Sequence, residues 1–197
     1  MADYVTIKKV DPMYRAVYDD GSELHVLHGR ERMAEEIRRF ANGKEAASFL
    51  KFCTWLEELY RAEMDSFIDA NFNSPLDLVK PWRAGLKLVG LGGFRKLDKK
   101  VASFFTDDRL QRIFSFQSMY AGLAPYEALS LYAVITYMDS VEGVFFPEGG
   151  MHSMATGLQS ALEKTGVEFR FSAPVSRILR HPGAHGAVSG VEIAGSE

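Results

Sequence analysis

Between Lys44 and Phe72 the residues Phe49, Cys53, Leu56, Leu59, Tyr60, Met64, Phe67 and Ile68 recur mostly at every third or fourth position. Only a helix brings such positions onto one face. Its opposite face carries Glu57, Glu58, Arg61, Glu63 and Asp65. A long helix with one apolar stripe has to bury it against other elements, and the flanking sequence supplies them. Arg30 to Phe40 is a second amphipathic run, and Asn42-Gly43 reads as a stop and restart between the two.

Upstream, Tyr14 to Tyr18 and Glu23 to His28 alternate in character around Asp19-Asp20-Gly21-Ser22, a pattern that predicts a β-hairpin. Downstream, Ser74-Pro75 opens a helix toward Val89 with a cap and a proline in its first turn, and Pro81 kinks it or ends its first part. Gly90-Leu91-Gly92-Gly93 interrupts the pattern and Leu97 to Phe105 resumes it. Thr106 before Asp107-Asp108 reads as an N-cap with acids at the positive end of a helix dipole. That helix is expected to run through Phe114 and Gln117 to Tyr120, with Gly122 stopping it and Pro125 starting another to about Met138.

After Asp139 the character changes. Val144 to Phe146 suggests a short strand, Pro147-Glu148-Gly149-Gly150 a turn, and Met151 to Lys164 a helix closed by Gly166. Val167 to Phe171, Pro174 to Arg180 and Ala187 to Ile193 alternate as strands. The expected class is α+β, with a mainly helical domain carrying the hairpin at 1–140 and an α/β segment at 141–197.

Composition narrows the chemistry. A formal charge of −3 and a pI near 6.0 give no broad positive field for a phosphate backbone, so nucleic acid is a poor partner. The lone Cys53 excludes an intrachain disulfide framework and a multi-cysteine zinc site, and its place among apolar positions marks it as packed. No secretory pattern opens the chain, no window approaches the ~20 apolar residues that span a bilayer, and a mean hydropathy of −0.10 fits a soluble chain. The 14 Phe, 8 Tyr, 2 Trp and 8 Met form a heavy load that must be buried against something. Its densest block runs from Phe104 to Tyr126, where Phe114 and Phe116 point to different helix faces, so that one face could line a cavity for an elongated apolar ligand.

Few residues stand out for chemistry. The glycines at 90–93 miss the dinucleotide-binding spacing, because Arg95 occupies the sixth position. Gly149-Gly150 follows a strand and opens a helix whose free N–H groups could meet an anion or a flavin carbonyl, and a plain turn is the competing reading. His152 is either a cap or a donor to a ligand carbonyl. His181 and His185 are separated by Pro182 and Gly183, which forbid the helix a metal pair would need. Asp77 is either the third residue of a capped helix or, in an apolar setting, a proton-transfer group.

The run Phe114-Ser115-Phe116-Gln117-Ser118-Met119-Tyr120-Ala121-Gly122-Leu123-Ala124-Pro125-Tyr126, followed by Gly143-Val144-Phe145-Phe146-Pro147-Glu148-Gly149-Gly150-Met151, resembles the phytoene desaturase family of carotenoid enzymes. The likeness extends to Asp11-Pro12 with Tyr14 to Gly21, and to Gly166 to Arg170 with Ala173 to Ile178.

The resemblance implies an FAD-dependent, membrane-peripheral, cytoplasmic oxidoreductase that takes hydride from saturated carbons of a long polyisoprenoid. It implies a substrate domain at 1–140 and part of an amine-oxidase-type flavin domain at 141–197. It assigns Val175, Gly149 and Gly150 to the cofactor, and Asp77 to the catalytic region. Phe114, Phe116, Met119 and Tyr120 would line a polyene passage. The family's glycine fingerprint is missing from this sequence. The chain is therefore expected to be an internal portion of a longer enzyme, to bind FAD weakly or not at all, to turn nothing over alone, and to self-associate through exposed apolar faces. The competing expectation is a non-catalytic module that binds isoprenoids or other long lipids.

Overall fold

The computed structural model describes residues 3–69, 82–182 and 186–195. Helices and short strands are mixed in it, as an α+β chain requires. The chain divides into a unit at Lys8–Phe146 and a second comprising Met1–Ile7 with Pro147–Glu197. Residues 3–7 thus belong with the C-terminal segment, where Glu148 N–H donates to the Thr6 carbonyl at 2.8 Å. A short sheet forms where β1 (Ile7–Lys9) pairs with β4 (Phe145–Pro147).

The larger unit is organised by the long helix. β2 (Tyr14–Val17) and β3 (Glu23–Val26) form the hairpin, with Tyr14 opposite Val26 and Val17 opposite Glu23. Its turn works because Gly21 takes a left-handed φ of 78° while the Asp20 carboxylate accepts from Ser22 N–H at 2.9 Å. α1 (Arg30–Phe40) buries Met33, Ala34 and Ile37. α2 (Gly43–Glu63) starts where the Asn42 side chain accepts from the N–H groups of Lys44 and Glu45. Phe49, Phe52, Cys53, Leu56 and Leu59 are buried along it, on the face the spacing indicated. Burial pushes the Cys53 thiol up to about 12, so it stays protonated and inert.

α2 does not run unbroken to residue 72. It widens after Glu63 into a π-type turn at Met64–Ile68. Residues 70–81 lie outside the described residues, and the proposed cap at Ser74 and the candidate Asp77 lie there. α3 (Trp82–Leu91) follows, turning Leu88 toward the core, and α4 (Leu97–Ala102) buries Leu97 and Val101.

The next helix differs from expectation in its cap and its length. Asp107, not Thr106, caps α5 (Asp108–Ile113), accepting from Arg109 N–H at 2.9 Å. Thr106 instead gives its N–H (3.0 Å) and its hydroxyl to Oε1 of Glu45, a carboxylate buried at the start of α2, which also accepts from Asp107 N–H at 3.3 Å. α5 ends at Ile113 because the Ser115 hydroxyl bonds back to the Gln111 carbonyl at 2.7 Å, competing with the helical ladder. A tighter 3₁₀ turn, Phe116–Ala121, then runs to Gly122, whose φ of 77° stops it.

The helix foreseen from Pro125 to Met138 is also shorter. A 3₁₀ turn at Ser130–Tyr132 leads into α6 (Ala133–Tyr137), which widens into a π-type turn at Met138–Glu142. Gly143 closes it with a φ of 96°, its N–H donating to the Met138 carbonyl at 3.1 Å.

In the smaller unit, α7 (His152–Glu163) packs Gly157 so tightly that an added Cβ would sit 2.4 Å from Val5 Cγ2. β5 (Val175–Arg180) and β6 (Val188–Ile193) form an antiparallel ribbon with Val175 opposite Ile193. The strand foreseen at 167–171 is absent, for those residues pair with no strand among the described residues and Ser172 turns back at a φ of 53°.

Candidate functional site

In the larger unit the aromatic block splits into a core and a groove. Phe114 is fully buried, with ring centroids 5.2 Å from Phe49, 5.7 Å from Phe52 and 5.2 Å from Phe105. It lies in the core and not on the groove. Past Ser115 the 3₁₀ turn has three residues per repeat, which places Phe116 and Met119 in one row.

Both residues line a groove of about 420 Å³ with Pro125 and Tyr126, within the range that holds a small ligand. Asp98, Asp108, Gln111, Arg112 and Ser115 complete its lining, where Arg112 and Asp108 neutralise each other at 2.6 Å. The groove is therefore lined by polar and apolar side chains together. Tyr120 stands outside that lining, 63% exposed, its ring edge-on to Phe116 at 5.6 Å.

Behind Phe116 lies a polar knot that the sequence reading missed. Phe116 also meets Tyr14 edge to face at 5.8 Å. Gln117, fully buried, donates to the Ile113 carbonyl (3.1 Å), to Asp139 Oδ2 (3.4 Å) and to the Tyr14 hydroxyl (3.4 Å), and accepts from Thr136 at 3.2 Å. Burial holds the Asp139 proton more tightly than usual. Burial and then the neighbouring Asp139 raise both Tyr14 and Tyr120. Asp139 Oδ1 is buried with no hydrogen-bond partner among the described residues. The available signal was the spacing of Thr136, Asp139 and Ser140, which puts polar groups on one helical face within an apolar run.

A second buried acid sits at the end of α2. Glu63 is 6% exposed, its Oε1 has no hydrogen-bond partner among the described residues, and burial alone pushes its carboxyl up to about 8.

In the smaller unit Gly149 and Gly150 take left-handed φ angles of 82° and 94°. A Cβ at Gly150 would meet nothing within 4 Å, so the start of α7 is open above it. Gly150 is held by its own N–H to the Pro147 carbonyl (3.1 Å), and its carbonyl accepts from Ser153 N–H (3.0 Å) and the Ser153 hydroxyl (2.8 Å). His152 is exposed at the first position of the helix. Val175 is 54% exposed and opens β5, which among the described residues pairs with β6 alone. The room beside Gly150 at the start of α7 and, among the described residues, the unpaired edge of β5 fit a flavin nucleotide.

Among the described residues no group of His, Cys, Asp and Glu could hold a metal ion, and no helix is long and apolar enough to cross a membrane.

Comparison with known proteins decides the relationship. The family model for flavin containing amine oxidoreductases matches residues 1–195. The chain belongs to that family. Within it, the chain is 43% identical over 180 residues to a phytoene dehydrogenase of Streptomyces griseus, covering 91% of this chain and 35% of the relative. It is 30% identical over 195 residues to a zeta-carotene-forming phytoene desaturase of Myxococcus xanthus, covering 99% and 37%. It is 30% identical over 188 residues to a 4,4'-diapolycopene oxygenase of Methylomonas sp, covering 95% and 38%. This member of the flavin-containing family thus spans about a third of the length of the curated relatives it matches.

Proposed function

We propose that the protein is an FAD-dependent desaturase of a long polyisoprenoid in carotenoid synthesis, peripheral to a membrane, and that this chain supplies its substrate groove and part of its flavin site. The observation that carries the reading is the 43% identity to a phytoene dehydrogenase across nine-tenths of the chain.

Phe116 and Met119 bind the apolar chain along the groove, Tyr120 extends that surface, and Phe114 supports it from the core. The open main chain at Gly149, Gly150 and Val175 meets the cofactor. When bound, the flavin supplies the hydride acceptor for the reaction. Asp77 is the carboxylate assigned to remove the proton from the neighbouring carbon, and Asp77→Asn should lower kcat while leaving polyene binding intact.

The apolar side chains left open on the β5–β6 ribbon, Val175, Ile178, Val188 and Val191 among them, are the surface through which this unit joins further protein, whether another part of the enzyme or a second copy.

The test is reconstitution of the full protein with FAD and phytoene in liposomes, following the visible bands that appear as conjugation lengthens. Growth of those bands, abolished when FAD is withheld, is expected. Saturable phytoene binding with an unchanged spectrum in the FAD-loaded protein would overturn the reading in favour of a non-catalytic isoprenoid carrier.

A further inference from the structure

α3 presents two apolar stripes, and the core accounts for one of them. Leu88 and Leu91 turn inward, Leu88 being 3% exposed and Leu91 packed against the core. Trp82, Leu86 and Val89, spaced four and three residues apart, occupy the outward face at 58%, 61% and 60% exposure. Arg83 and Lys87 are exposed on the same helix, with the Arg83 guanidinium over the Trp82 ring at 5.4 Å. Val89 and Gly90 share a depression with Gly92, the 54%-exposed Phe94 and Arg95. Arg95 in turn borders a second depression lined by Lys96, Lys99 and Lys100.

Among the described residues, acidic compensation in this cluster is slight. Lys99 has Asp98 at 3.6 Å, whereas Lys96 donates to the Glu127 carbonyl at 2.7 Å and Lys100 sits over the Trp55 and Phe104 rings. Burial and then the neighbouring Arg95 lower the Lys100 pKa, as expected where like charges crowd together. All this stands on a chain whose formal charge is −3, so the positive field is local.

We propose that the outward face of α3, from Trp82 through Leu86 and Val89 to Phe94, together with the adjoining cluster of Arg95, Lys96, Lys99 and Lys100, docks the protein on an anionic lipid bilayer. The proposal deepens the peripheral placement given above and rests on it, naming the surface and the headgroup chemistry. An exposed apolar stripe bordered by cations is what an interfacial helix requires: the stripe enters the acyl boundary, a tryptophan sits at headgroup depth, and the cations meet lipid phosphates and carboxylates. Three of the four cations in the cluster are lysines, the residue that protein interfaces deplete and anionic headgroups attract.

The experiment is vesicle sedimentation of the full protein, with phosphatidylcholine alone and with phosphatidylcholine plus phosphatidylserine. Wild type should bind the serine-containing vesicles and be released by salt. Arg95→Gln/Lys99→Gln should weaken that binding roughly thirtyfold, about fivefold for each charge near the surface. Trp82→Ser/Leu86→Ser should weaken binding to either vesicle by about tenfold or more. All four side chains are exposed, so urea midpoints should match wild type and exclude misfolding as the cause.

Equal binding of wild type to both vesicles, or of both variants and wild type to the anionic ones, overturns the proposal. So does a change in the oligomeric state of the variants with vesicle binding unaltered, which would make the patch a protein contact. Turnover of phytoene delivered in neutral detergent micelles separates the two readings. Turnover there without vesicle binding overturns the docking surface alone. Vesicle binding lost in the variants, with no turnover by wild type, supports the surface and overturns the enzymatic reading.

Discussion

Glu63 provides a test in which sign and size both follow from burial. Its carboxyl, 6% exposed at the end of α2 and with one oxygen unpartnered among the described residues, is pushed from the ordinary value of 4.5 to about 8. Between those values the unfolded chain has released a proton that the folded chain still holds. The folded state binds more protons there, so stability must fall as pH rises, by about 1.4 kcal/mol per pH unit for this one group. At pH 7 the cost relative to acid conditions is about 3 kcal/mol, and it levels off above the folded pKa. For a domain whose whole stability is about 5–15 kcal/mol, that is a large share.

Glu63→Gln keeps the shape and removes the titration. Urea unfolding of both proteins at pH 5, 6, 7 and 8 should give curves that nearly meet at pH 5. They should separate with rising pH, the variant becoming the more stable. Parallel pH profiles would refute the reasoning, since they would mean that Glu63 ionises in the folded protein much as it does in water.

Other expectations concern the framework. Glu45→Ala strips the acceptor from Thr106 N–H, the Thr106 hydroxyl and Asp107 N–H, and should cost about 2–3 kcal/mol in urea unfolding, with amide exchange accelerating first at the start of α5. Gly143→Ala forces a side chain onto a φ of 96° and places its Cβ 2.2 Å from His28 Nδ1. It should lower Tm, and adding His28→Ala should recover part of the loss but not the backbone strain. Phe114→Ala should cost about 3–5 kcal/mol as a core cavity, whereas Phe116→Ala should cost much less stability and weaken phytoene binding more. The reverse order would exchange the roles given to these two rings.

Much of this was legible in the residues themselves. The hairpin around Gly21, the stripe of α2, the restart at Asn42-Gly43 and the stop at Gly122 are local matters, set by periodicity, a left-handed φ or a side-chain oxygen within a few residues. The motifs at 114–126 and 143–151 pointed to the family on the same local basis, and the match over residues 1–195 agrees with them.

What the residues alone left open depends on partners distant in sequence. Thr106 looked like a helix cap, but Glu45 lies 61 residues away and claims both of its donors, which passes the cap to Asp107. The shift from α to 3₁₀ geometry after Ser115 separates Phe114, which meets Phe49 and Phe52 from α2, from Phe116, which faces the groove. Gln117, Thr136 and Asp139 are unremarkable polar residues until packing brings them together beneath Phe116. A hydrogen bond or a ring contact forms between whatever atoms the fold brings within a few ångströms of each other. Linear spacing reports those atoms only inside a turn or a helix, and here the buried acids and the groove wall became visible only once the long helix had gathered its neighbours.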